Sequence, residues 1–398
     1  MYPWGKAAKG LFEYCNCAPP RGKKIWNTSS GKLTKDKSRV GCLAMAGNVA
    51  EWCWNLSDDR RWVRGGSWND PDYMYKGPEA ASPFARDQAR GFRCAKYTSP
   101  LPETLTAPLD VRPAHDPAQD KPVGDDVFRA YRSMYAYDRT ALHARVESVD
   151  DTSPEWRKER VSFDAAYAND RVVAFLFLPR NAAPPYQTVL FIPGGTAMRE
   201  RTSENLELRR VDFLLRTGHA VVYPVCQGMY ERHLASAPSG PNETRDVFIQ
   251  RVKDVSRSLD YMETRSDLDR GSLAYYGVST GAGFGSIVLA VDSRFKTGIL
   301  QGGGLDLSES HSALPGEIQS INFLPRVKIP ILMMNGRDDF LSPLEQSQIP
   351  MFRLLGTPAN DKRRVVFDSG HSVPRTELIK EVLAWLGRYL GPVKPKEP

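Results

Sequence analysis

Gly277-Val278-Ser279-Thr280-Gly281 stands between two stretches of different character. Before it, Ser272-Leu273-Ala274-Tyr275-Tyr276 is a short apolar run of strand length. After it, Ala282-Gly283-Phe284-Gly285-Ser286-Ile287-Val288-Leu289-Ala290 is small and apolar, as a helix packed closely on a sheet requires. A Gly-x-Ser-x-Gly turn between strand and helix is sharp and strained, and a side chain at either glycine would collide with neighbouring backbone. The strain holds the serine hydroxyl out at the tip of the strand, with a helix N-terminus beneath it to favour developing negative charge. The five-residue pattern alone also occurs in ordinary Gly/Ser loops. The strand–turn–helix setting is what marks Ser279 as a nucleophile.

A serine hydroxyl reacts only when an imidazole takes its proton, and the imidazole needs a carboxylate to fix its tautomer. Where the nucleophile sits on such an elbow, the acid and then the histidine follow it in the chain. Of the histidines, His115, His143, His219 and His233 precede Ser279, leaving His311 and His371. His371 closes Val365-Val366-Phe367-Asp368-Ser369-Gly370-His371, a strand running into a small-residue loop, with a helix expected over 376–390. That is the C-terminal strand edge where open α/β sheets build their sites. His311, in Ser308-Glu309-Ser310-His311-Ser312, reads as a solvated loop histidine. For the acid, Ile329-Pro330-Ile331-Leu332-Met333-Met334-Asn335-Gly336 is a buried strand followed by Arg337-Asp338-Asp339-Phe340. Spacing alone does not separate the adjacent carboxylates Asp338 and Asp339, and Arg337 reads as a salt-bridge partner. Oxyanion donors are expected from the amide of Thr280 and from the loop Pro193-Gly194-Gly195-Thr196-Ala197, through Gly195 or Thr196.

With these elements in this order, residues 125–395 resemble an α/β-hydrolase of the dienelactone hydrolase and acetyl-esterase kind. The resemblance implies a doubly wound, mostly parallel sheet and ester hydrolysis through an acyl-enzyme, with no cofactor. It also favours Asp339 over Asp338, because Gly-x-x-Asp with Pro343 four residues beyond is the acid loop of that fold. Phe340-Leu341-Ser342-Pro343-Leu344-Glu345 and Gly391-Pro392-Val393 fit its later segments.

The chain has 398 residues, 25% of them charged and 41% hydrophobic, enough for two domains of ordinary globular composition. Its longest apolar runs, such as Val172-Val173-Ala174-Phe175-Leu176-Phe177-Leu178, are of strand length, well short of the roughly 20 residues that span a bilayer. No charged-then-apolar leader is seen, so a cytoplasmic protein without a membrane partner is expected. The net charge of +7 is spread out rather than gathered into a stripe, which argues against a nucleic-acid partner. A small-molecule ester is the expected one.

Residues 100–124 are rich in Pro, Asp and Ala without periodicity and read as a connector. The part before them, 1–99, is dense in Trp and Gly and reads as a loop-rich α+β fold. Tyr2-Pro3-Trp4-Gly5, Gly41-Cys42-Leu43-Ala44-Met45-Ala46-Gly47-Asn48-Val49-Ala50-Glu51-Trp52, Arg64-Gly65-Gly66-Ser67-Trp68 and Gly91-Phe92-Arg93-Cys94 resemble, in order, motifs of the formylglycine-generating (sulfatase-modifying) enzymes. They cover only the C-terminal portion of such a domain, which implies a domain entered part-way and is compatible with a longer parent protein. That family's redox chemistry uses a cysteine pair between the second Gly-rich segment and the Gly-Phe-Arg segment, yet 69–90 contains no cysteine. A calcium site of the family uses Asn or Asp where this chain has Ala44, although Glu51 is retained. The resemblance therefore implies a non-catalytic remnant, and no metal is expected. Its Trp-rich surface is expected to pack on the hydrolase or on a second copy of the chain. Cys15-Asn16-Cys17 lacks a second Cys/His pair at metal spacing, so buried thiols or one disulfide are expected.

In the hydrolase part, 127–135 reads as an amphipathic helix, and 144–149, 159–166 and 171–178 as antiparallel edge strands. Tyr131, Tyr135 and Tyr137 read as packing residues. A serine peptidase of the prolyl-oligopeptidase kind shares the triad order, but nothing upstream looks like a propeller. A binding or scaffold protein with a vestigial triad is the third reading, and a complete, correctly ordered set of residues argues against it.

Overall fold

A computed structural model of the chain describes residues 3, 14–17, 32, 34–68, 70, 75, 79–109, 120–167, 169–307 and 314–396. His311, Trp4, Trp26 and residues 110–119 of the expected connector lie outside the described residues. The chain divides into two compact units. One is Met1–Arg112 with Asp338–Leu341, the other Pro113–Arg337 with Ser342–Pro398.

The first unit holds a four-stranded sheet of β1 (Ala50–Ser57), β2 (Arg60–Arg64), β3 (Glu79–Ala81) and β4 (Arg90–Gly91), in the order β3-β2-β1-β4. Among the described residues, two small groups of buried apolar residues occur in it, Cys15 with Cys17 and Ala46, and Ala50 with Val63 and Ala81. The expected connector begins with a helical turn, Glu103–Thr106, fastened to this unit. Asn55 donates to the carbonyls of Leu105 and Ala107, and the Trp62 indole to that of Leu109. Cys15, Cys17 and Cys226 are buried, and among the described residues no cysteine forms a disulfide, so of the two expectations the buried thiols hold for these three and the disulfide does not.

The second unit is built on a nine-stranded sheet: β5 (Arg145–Asp150), β6 (Trp156–Asp164), β7 (Arg171–Pro179), β8 (Tyr186–Ile192), β9 (Ala220–Val225), β10 (Leu268–Val278), β11 (Thr297–Gln301), β12 (Ile331–Gly336) and β13 (Lys362–Phe367). The order across it is β13-β12-β11-β10-β8-β9-β7-β6-β5. Strands β8 to β13 are mutually parallel, and β7, β6 and β5 close one edge antiparallel. β9, β11 and β12 are buried at every residue, the continuous apolar signature of a sheet covered on both faces. β5 is exposed throughout, as an outermost strand can be. The helix Asp125–Ser133 seats Phe128 edge-on against Phe323, and Tyr135 packs on the same ring. Tyr135 also donates to the Glu317 carbonyl and Tyr137 to Asp260, so the tyrosines pack as expected.

From β8 the chain steps to β9 on one side and then returns across β8 to form β10 on the other. Such a reversal opens a crevice above the C-terminal ends of the two flanking strands. Here those ends carry Gly194 and Ser279.

Candidate active site

Ser279 joins β10 to the helix Thr280–Val291 with φ 54° and ψ −113°, in the left-handed region that a residue with a side chain rarely adopts. The turn is tight enough to need both glycines. A Cβ on Gly277 would lie 2.3 Å from the Gly281 carbonyl oxygen, and one on Gly281 2.4 Å from that of Ile192. The Ser279 amide donates to Gln301 O at the end of β11 (2.7 Å). Its carbonyl accepts the amides of Ala282 (2.8 Å) and Gly283 (3.0 Å), so the helix starts at once. The Tyr275 hydroxyl braces the far side by donating to Gly281 O (2.6 Å).

His371 lies beyond β13 in the loop that precedes the helix Arg375–Leu390, and its Nε2 is 2.8 Å from Ser279 Oγ. That is the reach a general base needs. Asp339 follows β12 and is 1% exposed, its carboxylate accepting the Leu341 amide (3.0 Å), whereas Asp338 is only half-buried. Burial thus distinguishes two carboxylates that spacing left equal. The loop after β8 lies against the elbow: a Cβ on Gly194 would come within 3.4 Å of Ser279 Cβ, and one on Gly195 within 3.3 Å of Thr280 Oγ1. Thr196 follows in the same turn, Gly195–Met198. Gly195, Thr196 and Thr280 are therefore gathered beside the serine.

The remaining described histidines do other things. His143 meets Asp164 at the surface (2.7 Å), and His233 approaches the Tyr230 carbonyl (3.2 Å). His219 is buried at the start of β9. Asp254 carried no signal in the sequence. It is wholly buried on the helix Pro241–Glu263, and it holds the loop after β9 by accepting from the Gln227 amide (2.8 Å), Arg232 (2.6 Å) and Tyr167 (2.9 Å). Burial raises its pKa against the opposing pull of Arg232.

In the first unit, Glu51 is engaged at both oxygens by Arg93 (2.6 and 2.5 Å), whose guanidinium also takes the carbonyls of Leu43 and Ala44. With its retained carboxylate committed and Ala44 offering no side-chain oxygen, this set does not fit the family's calcium ion. Among the described residues, no grouping of three or more His, Cys, Asp or Glu could hold a metal. Among them, too, no helix is long and apolar enough to cross a membrane.

The strand order, the elbow at the end of β10 and the loops after β12 and β13 define the second unit as an α/β-hydrolase fold. Among solved structures, the chain is similar to an acetyl xylan esterase from Paenibacillus sp. R4, at 17% identity and TM-score 0.54 over 68% of this chain and 96% of that one. It is also similar to acetyl xylan esterase 1 from Thermoanaerobacterium sp. JW/SL YS485, at 14% identity and TM-score 0.55 over the same shares. At such identity the likeness is one of fold. Residues 1–98 match the family described as sulfatase-modifying factor enzyme 1-like domain. No curated protein matches the sequence.

Proposed function

We propose that the chain is a serine carboxylic-ester hydrolase working through an acyl-enzyme. The observation that carries this reading is the 2.8 Å approach of His371 Nε2 to the hydroxyl of a serine held at φ 54° on a glycine-flanked elbow. In this reading Ser279 Oγ attacks the ester carbonyl as His371 takes its proton. The oxyanion is received by the amides of Thr280 and of Gly195 or Thr196. The imidazolium then gives its proton to the departing alcohol, and a water activated by the same histidine releases the acid. Asp339 is assigned the orienting carboxylate on its place after β12 and on its burial. The likeness in fold to two acetyl xylan esterases supports the ester as substrate class.

A p-nitrophenyl ester chain-length series, run beside aminoacyl-nitroanilides, tests the reading. Turnover of short acyl esters with no amide cleavage is expected. Preferential anilide cleavage would move the protein to the peptidases, and no turnover of either would leave the triad vestigial.

A further inference from the structure

The histidine loop, leaving β13 at Phe367, crosses the acid loop where that loop leaves β12. β12 ends at Gly336, and the histidine loop runs directly over it: a Cβ there would lie 1.9 Å from Gly370 O and 2.2 Å from Ser369 O. The five residues 337–341, Asp339 among them, then separate Gly336 from Ser342. Beneath this point stands Gln348, the last residue of a single π-turn, Leu344–Gln348, and fully buried. Its Nε2 donates to Gly336 O (2.8 Å) and to Ser342 O (2.7 Å). One amide therefore clasps the entry and exit of the acid segment, and in doing so fixes the residue on which 369–370 rest. The π-turn that aims it is pinned by its neighbour Ser347, whose hydroxyl donates to Leu305 O (2.7 Å). Isolated π-turns inside helices are frequent at functional sites. Gln348 Oε1, by contrast, finds no partner among the described residues.

We infer that Gln348 is a positioning residue for the hydrolytic site, setting the acid loop and the histidine loop relative to β12 at once. The inference rests on the reading of Ser279, His371 and Asp339 as a triad.

Gln348→Met keeps the side chain's length and removes both donors. With a p-nitrophenyl ester, kcat is expected to fall about tenfold to a hundredfold while KM stays within about threefold, because misplacement of catalytic groups is felt mainly in the transition state. The acid-limb midpoint of kcat is expected to move to lower pH, since a displaced carboxylate supports the imidazolium less. A folded Gln348→Met enzyme with wild-type kcat and pH midpoint overturns the inference. Should that variant not fold, Gln348→Glu serves instead. Its protonated carboxyl donates one hydrogen bond, and its ionised form repels both carbonyls, so the ratio of variant to wild-type kcat is expected to fall as pH rises. A ratio flat with pH overturns the inference. Ser279→Ala is run alongside: if it retains activity, the triad reading itself fails, and the inference with it.

Discussion

Ser279 carries two burdens, a reactive hydroxyl and a backbone conformation worth about 1–3 kcal/mol of strain. They can be separated by mutation. Ser279→Ala keeps the Cβ and hence the strain, and should lose about 10⁴- to 10⁶-fold in turnover with little change in melting temperature. Ser279→Gly should be equally inactive yet more stable than Ser279→Ala by about 1 kcal/mol, because glycine accepts positive φ. Urea titration of the pair checks this, and an active Ser279→Ala would remove the elbow from the mechanism. The second pair is Asp339 and Asp338. Asp339→Asn should cost up to about 10⁴-fold in kcat by favouring the wrong imidazole tautomer, and Asp338→Asn much less. The reverse ranking would move the acid by one residue. At this scale the sequence was most legible where chemistry restricts residue type. Ser279 was picked out by its strand–turn–helix setting and His371 by its place after Ser279, and the structure sets the two side chains 2.8 Å apart. Spacing alone did not separate Asp338 from Asp339, and it was the resemblance of the loop from Gly336 to Pro343 that favoured Asp339. Gln348 and Asp254 could not be found at all, since a buried polar side chain aimed at main-chain groups leaves no pattern of spacing.

Among the elements, the core strands β8 and β12 were easiest to read, because burial on both faces writes them as apolar runs. β13 and β10 were legible only in their last residues, β13 because it opens Lys362-Arg363-Arg364. β10 begins at Leu268, before the apolar run, and its first residues pair with β8 across a register shift that leaves Arg270 and Gly271 exposed. A strand segment outside the core has no hydrophobic signature to find. β9 carries a different hidden feature. His219, just before it, is 5% exposed, and burial lowers its pKa to about 4. The folded protein thus keeps this imidazole neutral, while the unfolded chain binds a proton near pH 6.5. Its contribution is fully present above about pH 6.5 and is lost as pH falls toward 4, amounting to about 3 kcal/mol. Denaturant titrations at pH 7 and pH 4.5 should show this loss in the wild type and a smaller one in His219→Gln. Equal losses in both would place the pH dependence elsewhere.

Across the whole molecule the two units differ in how well each could stand alone. The second has one continuous core on its nine-stranded sheet, whereas the described residues of the first show two small groups of buried apolar residues. Removing residues 1–112 is therefore expected to leave a folded hydrolase. If the first unit is sheltered by the second or by another copy of the chain, the truncation should also lower the melting temperature and the solubility. Unchanged melting and kinetics would make the first unit a tethered passenger. The division into two parts was legible from composition and motifs. The fastening of 103–109 to the first unit was not, because it rests on an asparagine amide and an indole reaching main-chain carbonyls.

The placement of His371 has a kinetic consequence. Its loop hangs from β13, the outermost strand, which pairs with β12 alone, whereas Ser279 springs from the middle of the sheet. Outermost strands open at lower free energy than the global unfolding transition. Fraying of that single ladder withdraws the base while the nucleophile stays where it is. On gentle heating, hydrolysis should then fade before the far-ultraviolet signal changes, and return on cooling. On refolding, activity should be the last property to recover.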